Sequence, residues 1–381
     1  DTVIDTVIDT VTDTVIDTVI HTIHTFTDTV TDTVIDTVID AVIDTAIDTV
    51  VATVVDTAID TAIGTAIGTA IGTANLAGGI GQVGDFTNYF KGDKSYFDPI
   101  LWKNNKQNQY EGYCSDIFAE NAIEFIEKNK NNSFFCYLSF NAPHTPLQVP
   151  EKYYNMYKDL DPELGFSDDL SDFRMNEKDK EDARKIYGMV TNIDDNVGKV
   201  INKLKELKIE EETIIIFMTD NGPQQIRYNS SMKGRKGTVY NGGIRVPFYI
   251  QYSEKFKESK VINKMSAHID VLPTILELCN LNIPNDRKID GQSLVPFINS
   301  KSTNDRFLFS YWTRRFPEKY INMSIQNDNY KLVGNNDFDS KIEEFELYDL
   351  VEDPNENNNI ISQNIETARS FKKEMDNSID R

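Results

Sequence analysis

Residues 213–222 read Thr-Ile-Ile-Ile-Phe-Met-Thr-Asp-Asn-Gly. The first seven are apolar and β-branched enough for a strand buried on both faces, and the last three are turn chemistry. The same pattern recurs on either side. Upstream, FFCYLSF (134–140) runs into the Pro-rich loop NAPHTP (141–146). Downstream, RVPFYIQ (245–251) reads as a third strand. Helical patterns lie between them. SDIFAENAIEFIEKNK (115–130) sets Phe118, Ala122, Phe125 and Ile126 on one face, with Ser115 placed to cap it. Residues 177–208 repeat Ile186, Val190, Ile193, Val197, Val200 and Leu204 at helical spacing, and another helix begins near Asp270. Strand and helix in alternation predict an α/β fold: a mixed, largely parallel sheet flanked by helices.

The tail changes character. RFLFSYW (306–312), YINMSIQ (320–326), NYKLV (329–333) and EFELYDL (344–350) are short strands on short polar links, followed by a helix near 363–376. They predict a small C-terminal antiparallel sheet with a helix. The expected organisation is therefore a repeat at 1–84, an α/β domain at 85–300 and a small subdomain at 301–381.

The leader stands apart. Residues 1–73 cycle through Asp-Thr-Val-Ile, drifting to Asp-Thr-Ala-Ile and Gly-Thr-Ala-Ile. A period of four is too short for a solenoid unit. It gives neither strand faces nor a helix face of consistent polarity. It reads as low-complexity sequence joined to an unrelated domain. Residues 1–90 hold 14 Asp and no Glu, Lys or Arg, against a net charge of −22 for the chain. The remainder is only mildly acidic, and nothing in it offers the clustered positive charge of a nucleic-acid binder. The uncharged stretch 61–84 spaces Gly64, Gly68 and Gly72 like a helix-dimerising motif, but the repeat alone produces that spacing, so no membrane span is expected. No signal peptide is visible. Cys114, Cys136 and Cys279 show no metal-ligand spacing and read as ordinary, mostly buried side chains. Asn131, Asn229 and Asn322 each open an Asn-x-Ser sequon.

Chemistry collects at the strand ends, where open α/β sheets bind ligands. Asp220 and Asn221 are adjacent oxygen donors suited to a hard cation. His144 sits between Pro143 and Thr145-Pro146. Met232-Lys-Gly-Arg-Lys-Gly-Thr238, then Tyr240-Asn-Gly-Gly243, offers cations on a glycine-rich loop fit for an oxyanion. Each motif alone is more often a plain turn or solvated loop. Their order and placement together carry the signal. The polar stretch 151–180 reads as a solvated loop, with a pocket-shaping insertion as the alternative.

At these residues the sequence resembles the sulfatase family, of arylsulfatase type within the alkaline phosphatase superfamily. GYCSDIFAENAIEFI, FFCYLSFNAPHTPLQVPEKY, IYGMVTNIDDNVGKVINKL, TIIIFMTDNGP, KGTVYNGGIRVPF, HIDVLPTILELC, DGQSLVPFI and ELYDLVEDPNE carry the resemblance. It implies an alkaline-phosphatase-like fold and a Ca²⁺-dependent hydrolase of sulfate esters, acting on a sulfated small molecule or glycan. It assigns Asp220 and Asn221 as metal ligands. His144 becomes the histidine at the sulfate and leaving-group oxygen, and Lys236 the sulfate-binding lysine. Asn241 stands where the family usually has Glu. Family members are commonly secreted, periplasmic or lysosomal.

The resemblance also exposes a gap. The family's nucleophile lies in Cys/Ser-x-Pro-x-Arg, and no Cys or Ser of this chain has that register. The paired aspartates that complete the metal site and the Lys-x-His segment have no counterpart either. All belong upstream of residue 85, where the repeat sits. The chain as written is therefore expected to be inactive. Three readings remain: a sulfatase whose nucleophile segment is displaced by the repeat, a non-catalytic relative that binds anions or serves as an interaction module, and a phosphoester or phosphonate hydrolase of the same superfamily. His-Thr-Pro and Lys-Gly-Thr favour a sulfatase over the last.

Overall fold

The computed structural model describes residues 95–103, 106–165, 174–283, 288–299, 306–314 and 316–380. All of them belong to one unit, residues 74–381. The repeat and the expected boundary at 84 lie outside the described residues.

The elements run in chain order as β1 (Ile100–Lys103), β2 (Lys106–Gln109), α1 (Cys114–Asn129), α2 (Glu151–Tyr154), α3 (Glu177–Glu206), β3 (Ile215–Met218), α4 (Asn241–Ile244), β4 (Phe248–Gln251), α5 (Val271–Leu278), α6 (Val295–Ile298), β5 (Leu308–Tyr311), β6 (Met323–Gln326), β7 (Tyr330–Gly334), β8 (Glu346–Asp349) and α7 (Ile365–Ile379). Strands and helices thus mix as expected, with a separate four-stranded antiparallel sheet at the C-terminal end.

α1 and α3 form the first core. Ile117, Phe118 and Ala122 of α1 are buried on one face, and Phe118 joins Tyr96, Tyr113 and Met189 in a single apolar cluster. Ser115 does not cap α1. The capping position is Tyr113, and Ser115 is buried within the first turn. α3 starts on a capping box: Asn176 Oδ1 accepts from the Asp179 amide at 2.9 Å, and Asp179 returns a carboxylate to the Asn176 amide. Such a cap contributes about 1 kcal/mol. The expected apolar stripe of α3 holds in part: Ile186 and Leu204 are buried. Val190 is exposed, and Asn192 and Asn196 are buried instead, both donating to Asp116 Oδ1 of α1 at 2.9 and 2.7 Å. A polar seam replaces part of the apolar one because Asp116 needs donors once α1 packs there.

The pairing differs from the expected parallel sheet. β3 and β4 pair antiparallel, Ile216 opposite Ile250, and every ladder among the described residues is antiparallel. Residues 134–140 join no sheet among the described residues. Their side chains alternate between half-buried and exposed as far as Leu138, and Tyr137 is 80% exposed. β3 is likewise only half-buried. An apolar run is buried on both faces only when neighbours cover it. Cys114 is buried as expected, whereas Cys279, just past α5, is exposed.

The C-terminal sheet follows its sequence closely. Its order is β5-β6-β7-β8. Phe309, Ile325, Leu332 and Leu347 stand in register across all four strands. Strand alternation sends this row to the face covered by Ala368, Phe371 and Met375 of α7. Each fully buried member contributes roughly 1.5–3 kcal/mol. The same alternation sends Lys331, Val333, Glu346 and Tyr348 to the opposite face. There Val333 and Tyr348 pack on Val239 and Tyr240. That second face positions the glycine-rich loop.

Candidate anion and metal site

β3 delivers Thr219 and Asp220 into a tight turn. Asp220 Oδ1 accepts from the Asn221 amide at 2.8 Å, and Asn221 Nδ2 donates to the Gly222 carbonyl at 3.0 Å. These bonds fix both side chains while leaving Asp220 Oδ2 and Asn221 Oδ1 without a partner among the described residues. Asp220 is exposed and Asn221 half-buried. Gly222 is required by close approach. Its amide donates to the Gly243 carbonyl at 2.8 Å, and a Cβ on it would fall 1.8 Å from the Gly242 carbonyl oxygen.

The loop 232–243 folds onto this turn. The Lys236 amide donates to the Pro223 carbonyl at 2.9 Å, which draws the lysine to the residues just after Asn221. Gly234 and Gly237 take φ of +82° and +85°, a region L side chains avoid. Thr238 Oγ1 donates to the Arg235 carbonyl at 2.8 Å and closes the turn around Lys236. Lys236 itself is half-buried, and its ammonium has no carboxylate partner among the described residues.

The C-terminal sheet clamps the loop from behind. Asn322 Nδ2 donates to the Gly237 and Trp312 carbonyls at 2.9 and 3.0 Å, and its Oδ1 accepts from the Val239 amide at 3.2 Å. With both Nδ2 hydrogens engaged, the Asn322 sequon is not an open glycosylation acceptor. Glu346 accepts from the Tyr240 and Tyr348 hydroxyls, each at 2.6 Å, and pairs with Lys233 at 3.3 Å. Burial pushes the Glu346 carboxyl up, but these hydrogen bonds and the Lys233 charge outweigh it and hold it below the ordinary range. The two phenols are raised, first by burial and then by Glu346. Deeper still, the Asn241 amide donates to Glu356 Oε2 at 2.6 Å. Asn241 Oδ1 accepts from Lys331 at 3.2 Å, and Lys331 pairs with Glu356 at 2.7 Å. Both charges of that pair are fully buried, and burial lowers the Lys331 pKa. The carboxylate beside the Gly-Gly turn thus comes from Glu356, and Asn241 complements it.

His144 is held by a different part of the molecule. Its carbonyl accepts from the Tyr96 hydroxyl at 3.0 Å, and its amide donates to the Asn141 carbonyl at 2.9 Å. Nδ1 lies 2.8 Å from the Thr145 carbonyl, which can only accept. As the donor to that carbonyl, Nδ1 carries a proton. No hydrogen bond between described residues ties this loop to Asp220, Asn221 or Lys236. The structure joins three of the four expected residues through one pair of turns and holds the fourth on its own loop.

Two further residues stand out, one beside the turn and one near it only in sequence. His268 lies at 2.8 Å through Nε2 from the carbonyl of Thr219, next to Asp220. Arg227, between the two turns in sequence, is half-buried with no carboxylate partner among the described residues, and burial lowers its pKa. Neither stands in a local pattern that marks it. Only the position of His268 two residues before the buried Asp270–Arg306 pair hints at a fixed site. Among the described residues, no three His, Cys, Asp or Glu converge as a metal cluster.

A sulfatase family model matches residues 74–281, more than half of the chain. The chain belongs to the sulfatase family. A second model, the C-terminal region of N-sulphoglucosamine sulphohydrolase, matches residues 235–381 and so takes in both the Lys236 loop and the sheet behind it. The arylsulfatase of Clostridium perfringens is 27% identical over 330 residues, covering 78% of this sulfatase chain and 64% of that protein. The uncharacterized sulfatase YdeN of Escherichia coli is 27% identical over 247 residues, covering 63% and 40% respectively. Among solved structures, Ps i-CgsB in complex with k-i-k-neocarrahexaose superposes with a TM-score of 0.61 at 25% identity, covering 73% of this chain and 57% of that one. The fold is alkaline-phosphatase-like. This chain spans 40–64% of the length of these two curated relatives.

Proposed function

We propose that this chain forms the sulfate-holding side of a sulfuric ester hydrolase site, whose ligand is a sulfated small molecule or glycan. One observation supports the reading: the Lys236 amide bond to Pro223 sets the lysine backbone beside the Asp220-Asn221 turn, and its ammonium has no carboxylate partner among the described residues. A half-buried cation without a carboxylate partner is poised for an external anion. Asp220 Oδ2 and Asn221 Oδ1 are hard oxygen donors and fit Ca²⁺, though two oxygens are only part of the 6–8 it takes. Bound there, the cation would supply charge stabilisation at the sulfate and help activate a nucleophile. In this reading His144 stands on the leaving-group side and serves there as the proton-transfer group. The His144 loop, in the same reading, closes on the same strand-end cleft.

Within these 381 residues no Cys or Ser stands in the family's nucleophile register. The chain as written therefore binds sulfate without turning over a sulfate ester, because binding alone supplies no bond-making oxygen. The likeness to a protein solved in complex with k-i-k-neocarrahexaose supports a sugar ligand over a simple ion.

Isothermal titration of the full chain with inorganic sulfate in the presence of Ca²⁺ tests the reading. Lys236→Ala should weaken binding by about tenfold, the worth of one charge-assisted hydrogen bond. Unchanged affinity in Lys236→Ala would refute it. A chromogenic aryl sulfate should show no turnover above a His144→Ala control.

A further inference from the structure

Trp312, immediately after β5, lies over the Lys236 loop. A Cβ on Gly237 would sit 3.5 Å from the indole Cζ2 and 3.6 Å from Cε2 and Cη2. The benzo ring therefore covers the residue directly after the sulfate-binding lysine. Its backbone is held at both ends by one residue: the Trp312 amide donates to the Asn322 carbonyl at 3.2 Å, and the Trp312 carbonyl accepts from Asn322 Nδ2. Asn322 also bonds Gly237 and Val239. Ring and lysine loop are thus tied to a common post.

The ring is nevertheless open. Trp312 is 43% exposed, and its indole N–H makes no hydrogen bond among the described residues. The exposed Arg314 guanidinium lies over the ring, 5.8 Å from its centroid, so it flanks the aromatic surface from one side. An aromatic plane, a free N–H and a cation beside an anion-holding lysine match one ligand chemistry. The C–H face of a sugar ring stacks on the indole, a hydroxyl accepts from Nε1, and a second anionic group meets Arg314. A bare sulfate reaches only Lys236. An aryl aglycone would use the plane but leave the N–H and the guanidinium unmatched.

We propose that Trp312 and Arg314 form a sugar-stacking subsite next to Lys236, so that this site selects a sulfated saccharide of two or more rings. The proposal rests on the sulfate-holding reading of Lys236. The test uses the full chain and isothermal titration with three kinds of probe: inorganic sulfate, p-nitrophenyl sulfate, and a panel of sulfated disaccharides derived from heparin, chondroitin sulfate and carrageenan. At least one disaccharide should bind about tenfold more tightly than inorganic sulfate, the scale of one aromatic anchor. Trp312→Ala should erase that advantage and leave inorganic sulfate within about twofold. Trp312→Phe should keep most of it, and Arg314→Ala should lose part. Thermal unfolding of each variant reports whether it folds, and Trp312→Phe carries the test if Trp312→Ala does not. The proposal is overturned if no disaccharide exceeds sulfate, if p-nitrophenyl sulfate gains as much as the best disaccharide, or if Trp312→Ala weakens sulfate and disaccharide equally. Loss of disaccharide preference with Lys236→Ala still binding sulfate normally would instead refute the underlying assignment of Lys236.

Discussion

Residues 134–140 and β7 are both short apolar runs, yet they have opposite fates. β7 is paired on both edges and covered on both faces, by α7 on one side and by the Lys236 loop on the other. Even Lys331 is fully buried in it. Residues 134–140 pair with no strand among the described residues, and Tyr137 points into solvent. The difference lies in their neighbours rather than in hydrophobicity. The C-terminal strands find partners within a few residues along the chain, whereas a central α/β strand depends on partners far away in sequence.

The comparison can be broken most sharply at its charges. Lys331→Met leaves Glu356 buried without a counter-charge and should cost about 3–5 kcal/mol in urea unfolding. The double variant Lys331→Met/Glu356→Gln should recover much of that loss. Tyr137→Ala in the exposed run should change stability by no more than about 0.5 kcal/mol. Equal losses at the two positions would erase the distinction.

A smaller effect is expected where the two turns meet. Gly222→Ala places a methyl on the Gly242 carbonyl. It should push the Asp220-Asn221 turn away from the Lys236 loop and weaken sulfate by at least about tenfold, or roughly 1.4 kcal/mol. Sulfate affinity equal to the parent chain would show that the turns act independently.

The mildest effect is on pH. Glu346 has a carboxyl pKa lowered in the fold, so its contribution is fully present above the ordinary glutamate value of about 4.3 and is lost as pH falls through the lower folded value. Acid titration of stability should therefore show an extra loss below that point. Glu346→Gln should flatten that limb. A variant with the same acid profile as the parent chain would remove Glu346 from the clamp.

Much of this was legible in the sequence. The tail strands and final helix fall where their alternation places them, and α3 spans nearly its whole expected range. The Asp220-Asn221 turn and the glycine-rich loop around Lys236 were visible because turn and glycine chemistry is local. The clamp was not. Glu346, Lys331 and Asn322 look like ordinary polar residues of short strands until pairing decides which face each one takes. Asn192 and Asn196 were hidden for the same reason, since their partner Asp116 lies on another helix. The parallel sheet was inferred from strand–helix alternation, a pattern that also accommodates the antiparallel β3–β4 pair. Glu356 takes up the carboxylate position beside Asn241 from a turn 115 residues away.

The central claim is that the C-terminal sheet presents Lys236 to an anion. A double-mutant cycle on inorganic sulfate affinity tests it most directly, using the parent chain, Asn322→Ala, Lys236→Ala and the double variant. Asn322→Ala should weaken sulfate several-fold in the parent background and have no effect once Lys236 is gone, giving a coupling of about 0.5–1 kcal/mol. Additive losses, or an unaltered affinity in Asn322→Ala, would contradict the account.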